Sequence, residues 1–286
     1  MKRAIVAGLI AGSLLLVACG DDKTPAAGSG AASADPATCA KGNTLAADKL
    51  TIATGEPAFP PYVINDATPQ DSQGFEAAVA MAVARELGFD ASKVTWTRTQ
   101  FDAAIAPGPK DFDFNLQQYG ITDERKKVVD LSDGYYTSAQ AIFGLADSSA
   151  ANAKTLADLQ GLKIGVASGT TSLTYVEETI KPKADPFIFT DNAAAKQALE
   201  SNQIDAIVSD LPTALYITGV EIEGTKVFGQ IEGSGTDQFG LLLTKGSKLT
   251  SCVNGALKKL KDSGELATIT TKWMADYAEA PLIKLG

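Results

Sequence analysis

The sequence predicts an α/β fold with two similar lobes, each built on a mostly parallel β-sheet flanked by helices. Short apolar runs typical of strands alternate with segments of helical spacing, and such alternation indicates parallel sheets covered on both faces. Residues 113–115 and 205–207 repeat one local order, since each segment follows a predicted helix and leads through a polar loop into another. The chain of 286 residues is long enough for two modest lobes.

The first residues have the composition of a secretion signal. Two basic residues precede an apolar run over residues 4–17, which is short for a membrane span. The run ends in Leu-Val-Ala-Cys at residues 16–19 and resembles the bacterial lipobox, whose cysteine receives diacylglyceryl and palmitate groups. We therefore expect a lipoprotein signal peptide over residues 1–18 and lipidation of Cys19. The alternative is an ordinary signal peptide that happens to contain a cysteine.

A tether is expected after the signal. Residues 20–37 contain no large apolar side chain, so they cannot bury enough surface to fold. We assign residues 19–48 to a flexible tether that holds a folded body outside the cell, close to the membrane. No later segment is long enough to span a bilayer.

Composition excludes several classes of function. The formal charge is −9, and removal of residues 1–18 takes away two positive charges to leave −11, which argues against nucleic acid as a partner. The chain contains no histidine, so histidine acid–base catalysis, Ser-His-Asp triads and histidine metal sites are excluded. No Cys-x-x-Cys motif occurs, so we expect neither a zinc site nor a cofactor.

Periodicity and breaker residues predict the individual elements. Helical spacing over residues 75–87 ends at Gly88, and a short helix over residues 102–106 must end before Pro107. The predicted strands lie at residues 50–54, 94–97, 112–116, 141–145, 163–166, 187–189, 206–208 and 239–243. Further helices are predicted after Thr122 and at residues 171–180, 193–201, 249–261 and 266–277.

Five motifs occur in a characteristic order. They are Thr-Ile-Ala-Thr with an aromatic loop (residues 51–62), Gly-Phe-Glu (74–76), Ile-Thr-Asp-Glu-Arg (121–125), a strand with Gly-Thr-Thr (159–171) and Asp-Ala-Ile-Val-Ser-Asp (205–210). In this order they resemble the extracytoplasmic binding proteins of polar amino acid ABC transporters, solute-binding protein family 3. The resemblance implies a type II periplasmic binding fold, with residues 49–140 and 236–286 in lobe 1 and residues 141–235 in lobe 2.

The resemblance also implies capture of a free amino acid between the lobes and delivery to the permease subunits of an ABC importer. Burying the carboxylate and the ammonium group of an amino acid requires charged partners. Arg125 suits the carboxylate, Asp210 suits the ammonium, and Thr171 would stand at a helix N-terminus that attracts an anion. From the residues alone, a surface arginine is the favoured interpretation of Arg125, and helix N-caps are the alternative for Thr171 and Asp210.

Other site residues follow from the same resemblance. Phe59 and Tyr62 are candidates for an apolar cover, with Phe59 at the position of the stacking aromatic. Glu56 would select a cationic or amide side chain, although a solvated turn residue is an equal interpretation. Where the family often has Ser or Thr, this chain has a Gln-Gln-Tyr-Gly segment, which leaves the substrate open. The expected site residues are Glu56, Phe59, Gln117, Gly120, Arg125, Thr170, Thr171 and Asp210.

The remaining expectations concern the cysteines and the class of protein. In an oxidising exterior Cys39 and Cys252 form an even pair and predict a disulfide, the alternative being two buried thiols. We expect an extracytoplasmic, lipid-anchored monomer. An enzyme remains an alternative, because cyclohexadienyl dehydratases share this fold, and Glu56 or Asp210 would then be the general acid. A sensor ectodomain is a further alternative, but it would need a transmembrane helix, and none is expected before Gly286.

Overall fold

The computed structural model describes residues 35–285. The predicted signal peptide, the lipidation site Cys19 and the tether up to residue 34 lie outside the described residues. Within the described range, none of the helices has the length and apolar character needed to cross a membrane. The strands, in chain order, are β1 (Leu50–Gly55), β2 (Val94–Thr99), β3 (Phe114–Asn115), β4 (Val129–Leu131), β5 (Tyr136–Ser138), β6 (Gln140–Leu145), β7 (Ile164–Ala167), β8 (Phe187–Phe189), β9 (Ala206–Asp210), β10 (Thr225–Ile231), β11 (Asp237–Phe239), β12 (Leu242–Thr244) and β13 (Leu282–Ile283).

Helices connect many of these strands. Two of them, at Thr171–Tyr175 and Leu211–Tyr216, continue as π-helical turns over Val176–Ile180 and Ile217–Glu221. The α-helices are α1 (Pro36–Ala40), α2 (Phe75–Glu86), α3 (Phe101–Ile105), α4 (Asp123–Val128), α5 (Leu156–Leu159), α6 (Thr171–Tyr175), α7 (Asn192–Glu200), α8 (Leu211–Tyr216), α9 (Leu249–Asp262) and α10 (Glu265–Met274).

Two main sheets organise the fold. The first has the order β2-β1-β3-β12-β4 and the second the order β13-β10-β6-β9-β7-β8. The predicted α/β class is confirmed, and each sheet combines parallel strand pairs with antiparallel ones. β1 runs parallel to β2 and β3, and β7 runs parallel to β8 and β9. β12 and β6, the strands that follow the passages between the sheets, pair antiparallel with their neighbours.

The chain crosses between the two main sheets twice, and the two connecting segments pair with each other. β5 and β11 form a two-stranded antiparallel ribbon in which Ser138 lies opposite Asp237. The chain enters the second sheet directly after β5, and it returns to the first sheet directly after β11. The predicted strand over residues 239–243 is two strands, interrupted at Gly240, whose amide donates to the carbonyl of Tyr119 at 3.0 Å.

The C-terminal strand departs from the predicted lobe assignment, which placed all of residues 236–286 in lobe 1. β13 pairs with β10 at the edge of the second sheet. The amide of Glu232 donates to the carbonyl of Ile283 at 2.9 Å, and the Ile283 side chain is buried in the core of that sheet. Burial of the Ile283 side chain and coverage of the otherwise open edge of β10 stabilise the C-terminal segment against the second sheet.

Apolar cores lie on the faces of both sheets. The largest packs β1 and β3 against α2, α9 and α10. The second sheet has one core on each face, with Ile142 and Val208 on one side and Phe143 and Ile207 on the other. This alternation along β6 and β9 follows from the two-residue period of a strand.

The Gly-Phe-Glu motif has a steric cause. Gly74 has φ +107° and immediately precedes α2. A Cβ at this position would lie 2.4 Å from the carbonyl oxygen of Tyr62, so no other residue fits without moving the aromatic loop. The glycine thus fixes the start of α2 against the loop that carries Phe59.

The folded body begins earlier than the predicted end of the tether at residue 48. Residues 36–40 form α1, and Ala40 is fully buried against the first core. Cys39 is joined to Cys252 of α9 by a disulfide, with an S–S distance of 2.00 Å and Cα atoms 5.4 Å apart. The cross-link supplies the contact that the polar composition of this segment does not predict.

Candidate ligand-binding site

A cleft lies between the two main sheets, at the carboxyl ends of their parallel strands. It measures about 590 Å³ when the solvent space at its mouth is included. Strand ends of this kind are the usual ligand sites of α/β sheets, because loops and helix N-termini meet there. The lining residues are Phe59, Phe101, Gln117, Gln118 and Arg125 from the side of the first sheet, and Ala167, Ser168, Thr170, Thr171, Thr190, Asp191, Asn192, Asp210 and Thr213 from the side of the second.

Arg125 is a buried cleft residue and not a surface arginine. Its side chain extends from α4, whose N-cap Thr122 accepts the Arg125 amide at 3.2 Å. The guanidinium donates to the carbonyl of Gly120 at 2.7 Å and, across the cleft, to the carbonyl of Gly169 at 2.8 Å. Its carbon lies 5.4 Å from the ring centre of Phe101. Burial lowers the pKa of Arg125, yet an arginine stays protonated in proteins, so a positive charge is held in the cleft.

Asp210 faces Arg125 from the second sheet. It ends β9 and occupies the N-cap position of α8, but its carboxylate makes no capping hydrogen bond. Its Oδ1 accepts instead from the Gln140 amide at 3.0 Å. Burial, and then the charge of Asp237, raise the pKa of Asp210 to about 7, while Gln140 and Arg125 oppose this effect. Asp210 is half-buried and lines the cleft, and its carboxylate is close to its point of ionisation at neutral pH.

Thr171 was considered both as a helix N-cap and as a residue at the helix N-terminus, and the structure assigns the first position to Thr170 and the second to Thr171. Thr170 is the N-cap of α6, since its hydroxyl accepts from the Leu173 amide at 3.1 Å. Thr171 is the first helical residue, and it approaches the opposite wall so closely that a Cβ on Gly120 would lie 2.7 Å from its methyl group. Gly120 does not line the cleft itself. Its missing side chain is what admits Thr171.

Two of the predicted side chains lie elsewhere. Glu56 is exposed and does not line the cleft, and its backbone carbonyl accepts from Gln100 at 2.8 Å. The expectation that Glu56 contacts a ligand side chain is therefore not met by its position. Tyr62 is fully buried in the first core, where its ring meets Phe239 at a centroid distance of 6.3 Å.

Sequence reasoning missed Phe101 and Asp191, both of which line the cleft. Phe101 follows β2 and Asp191 follows β8, and both strands were predicted. The rule that ligands bind at the carboxyl ends of parallel strands was the signal that could have found them. Asp191 also caps α7, because its Oδ1 accepts from the Ala194 amide at 2.8 Å.

The buried residue Glu76 holds Gln118 at the cleft wall by hydrogen bonds. Glu76 of α2 accepts the Gln118 amide at 2.8 Å, and it also accepts the Gln118 side-chain amide and the Tyr135 hydroxyl. Gln118 has φ +52°, a conformation that few residues other than glycine adopt, and the paired bonds to Glu76 compensate for it. Burial raises the pKa of Glu76 to about 7 despite these donors.

We expect the free energy of unfolding of the ligand-free protein to fall as the pH rises from about 4 to about 7. Glu76 and Asp210 have folded pKa values of about 7, above their unfolded values, so over this window the folded state retains protons that the unfolded state has released. Asp210→Asn removes one such group, and its stability relative to wild type should therefore rise with pH, by at most about 4 kcal/mol.

Denaturant unfolding at about pH 4.5, pH 6 and pH 8 measures this difference. The exposed Asp185→Asn change is the matched control and should leave the pH dependence as it is in wild type. A stability difference between Asp210→Asn and wild type that does not change with pH would contradict the raised pKa.

Comparison with known proteins agrees with this geometry. A family model of the bacterial extracellular solute-binding proteins, family 3, matches residues 50–276. The arginine-binding periplasmic protein of Mannheimia haemolytica is 28% identical over 243 residues, which cover 82% of this chain and 94% of that protein. The structure of an ancestral arginine-binding protein bound to glutamine has 32% sequence identity and a TM-score of 0.68, and the match covers 80% of this chain and 98% of that one.

A second solved structure links the fold to an enzyme lineage. An ancestral amino acid-binding protein, a precursor of cyclohexadienyl dehydratase, has 32% identity and a TM-score of 0.66 over 79% of this chain and 95% of that one. The type II periplasmic fold expected from the motifs is thus confirmed. Because the family match includes the cleft and the strands on both sides of it, the chain belongs to the bacterial extracellular solute-binding proteins, family 3.

Proposed function

We propose that this protein captures a free amino acid with a cationic side chain in the cleft between its two main sheets and delivers it to the permease of an ABC importer. The observation that carries the proposal is the pair of opposite charges on facing walls. Arg125 comes from the first sheet and Asp210 from the second, and both line the same cleft. The carboxylate and the ammonium of an amino acid match these two charges.

The preference for a cationic side chain follows from the charged cleft residue that remains once the carboxylate and ammonium groups of the ligand have their partners. The cleft lining contains one basic side chain, Arg125, and two acids, Asp191 and Asp210. Once the backbone groups of the ligand are matched to Arg125 and Asp210, the carboxylate of Asp191 is left for the ligand side chain. A cation or an amide group satisfies that carboxylate, whereas an acidic side chain would be repelled. Asp191 thereby takes the selecting role that the sequence suggested for Glu56.

Aromatic rings supply the apolar part of the proposed site. Phe59 and Phe101 both line the cleft on the side of the first sheet. Phe101 stacks on Tyr119 at a centroid distance of 5.1 Å and with planes 22° apart, which holds its ring in one orientation. Rings of this kind exclude water from the charged contacts and strengthen them.

We expect Arg125→Ala to cost the most affinity of any single change, about 30-fold to several-thousand-fold, because it leaves the carboxylate of the ligand buried and unpaired. Asp210→Asn should come next. Phe59→Ala should be milder, since it removes mainly contact area worth about 1–3 kcal/mol. Isothermal titration calorimetry measures the three affinities, with the amino acid that most raises the melting temperature of the wild-type protein as the ligand.

Lys127→Ala is the control for the affinity measurements, because Lys127 lies on the same helix as Arg125 and its side chain is exposed. It should bind like wild type. Binding by Arg125→Ala at wild-type affinity would refute the assignment of the carboxylate site. If no amino acid binds and a cyclohexadienyl acid is consumed instead, the dehydratase interpretation replaces the transport proposal.

Asp191→Asn should reduce affinity for arginine by about tenfold or more and leave affinity for glutamine nearly unchanged. The variant removes one charge but keeps a side chain that caps a helix well, so α7 should remain intact. Competition between arginine and glutamine, followed by calorimetry, measures the ratio. An equal loss for both ligands would show that Asp191 acts only through the fold of α7.

The proposed location is the outer face of the cell membrane, with the lipid on Cys19. The support is the lipobox-like segment at residues 16–19, together with the polar tether that follows it. Cys19→Ala should abolish incorporation of labelled palmitate and move the protein from the membrane fraction to the soluble fraction. Retention of the label in the Cys19→Ala variant would exclude this anchor.

A further inference from the structure

Gln140 occupies a junction between the ligand site and the two passages of the chain between the sheets. It is the first residue of β6, directly after the first passage, and its antiparallel partner on β9 is Asp210. Its side chain is fully buried, although glutamine is usually exposed. A buried amide in such a place requires partners for both its donor and its acceptor.

The partners of Gln140 fix the orientation of its amide. The Ser172 hydroxyl donates to Gln140 Oε1 at 2.6 Å. The Nε2 group then donates to Oδ1 of Asp210 at 3.0 Å and to Oδ2 of Asp237 at 3.0 Å. Ionised carboxylates only accept hydrogen bonds, so the NH₂ group must face them and cannot exchange places with the oxygen.

Two carboxylates on different strands therefore share one amide group. Asp210 lies on the cleft wall, and Asp237 lies in β11, the second passage between the sheets. Burial, and after it the charge of Asp237, raise the pKa of Asp210, while the hydrogen bond from Gln140 lowers it. The charge of Asp237 favours protonation of Asp210. Gln140 opposes this effect and favours the ionised Asp210 that is needed in the cleft.

We propose that Gln140 is a positioning residue of the site for the ligand's ammonium group. It holds the Asp210 carboxylate ionised and directed at that group. The inference deepens the proposed function and rests on it, since Asp210 is there the partner of the ammonium group. Ser172 fixes the orientation of the Gln140 amide, whereas the negative charge of Asp237 opposes the effect of Gln140 on Asp210.

Several other groups face Asp210 and set the background for its titration. Besides Asp237, these are Arg125 of α4, Glu76 of α2, Tyr62 of the aromatic loop and Tyr136 of β5. Arg125 favours the ionised form, whereas Glu76 opposes it. All of these groups remain when Gln140 or Asp237 is replaced, so a change in the titration of Asp210 reports on the amide donor that is lost in the first case and on the charge that is lost in the second.

The experiment measures the titration midpoint of Asp210 by carboxyl carbon NMR in the ligand-free protein, with Asp210→Asn to assign the signal. Gln140→Met keeps the length of the side chain and removes the donor, and it should move the midpoint upward by about one pH unit. Asp237→Asn should move the midpoint downward. Opposite shifts from two neighbouring substitutions are not expected from a general disturbance of the fold.

Affinity for arginine as a function of pH gives the second readout. A midpoint one pH unit higher costs Gln140→Met about tenfold in affinity at pH 6 and almost nothing at pH 9, because Asp210 is about nine-tenths ionised or more there in both proteins. A loss of the same size at both pH values would mean that Gln140 contributes packing alone, and this would overturn the inference.

An unchanged Asp210 midpoint in folded Gln140→Met would also overturn the inference. If Gln140→Met does not fold, Ser172→Ala replaces it, since this variant retains Gln140 and releases only the orientation of its amide. The midpoint should then rise, and a midpoint equal to that of wild type would refute the proposal. Wild-type protein that binds no amino acid would refute the proposed function instead, whereas the midpoints, measured without ligand, still decide the role of Gln140.

Discussion

A positive charge buried between two sheets must be matched by acceptors from both of them, and Arg125 imposes this constraint on the cleft. Its guanidinium donates to the Gly120 carbonyl on its own side and to the Gly169 carbonyl on the other. The two backbones can come this close because Gly120 has no side chain to strike Thr171. Ser168 adds a second contact across the cleft, where its hydroxyl donates to Asp102 at 2.9 Å. The position of the walls follows from one buried cation and its acceptors.

Carboxylates surround this cation in two layers. Asp210 and Asp191 line the cleft, whereas Glu76 and Asp237 lie behind it, each held by an amide side chain that reaches toward the cleft. Burial raises the pKa values of Asp210 and Glu76 to about 7, so their charges are sensitive to small changes in their surroundings. Gln140 bridges the two layers by donating to both Asp210 and Asp237, whereas Gln118, which lines the cleft, donates to Glu76.

The sequence predicted the strands beside the cleft and the residues that ordered motifs carry, namely Arg125, Thr171, Asp210 and Phe59. It did not predict the partners that only tertiary structure brings together. β13 pairs with β10 although about fifty residues separate the two strands along the chain, and α1 is held by the Cys39–Cys252 disulfide. Glu56 was expected in the cleft because of its place in a motif, but the turn of the aromatic loop exposes it. Phe101 and Asp191 were missed because their role depends on which strand ends meet, and local periodicity carries no such information.

The cross-link between α1 and α9 also determines how the molecule responds to mechanical force. The disulfide lies between the N-terminal segment and β1, and β1 is an interior strand of its sheet, flanked by β2 and β3. Tension applied to residues before Cys39 therefore enters the body through α9, which is 14 residues long and packed along one face of the first core. The load bypasses β1, so its hydrogen bonds to β2 and β3 are not peeled apart one at a time. A protein held by its N-terminus in a moving fluid would keep its binding cleft intact for this reason.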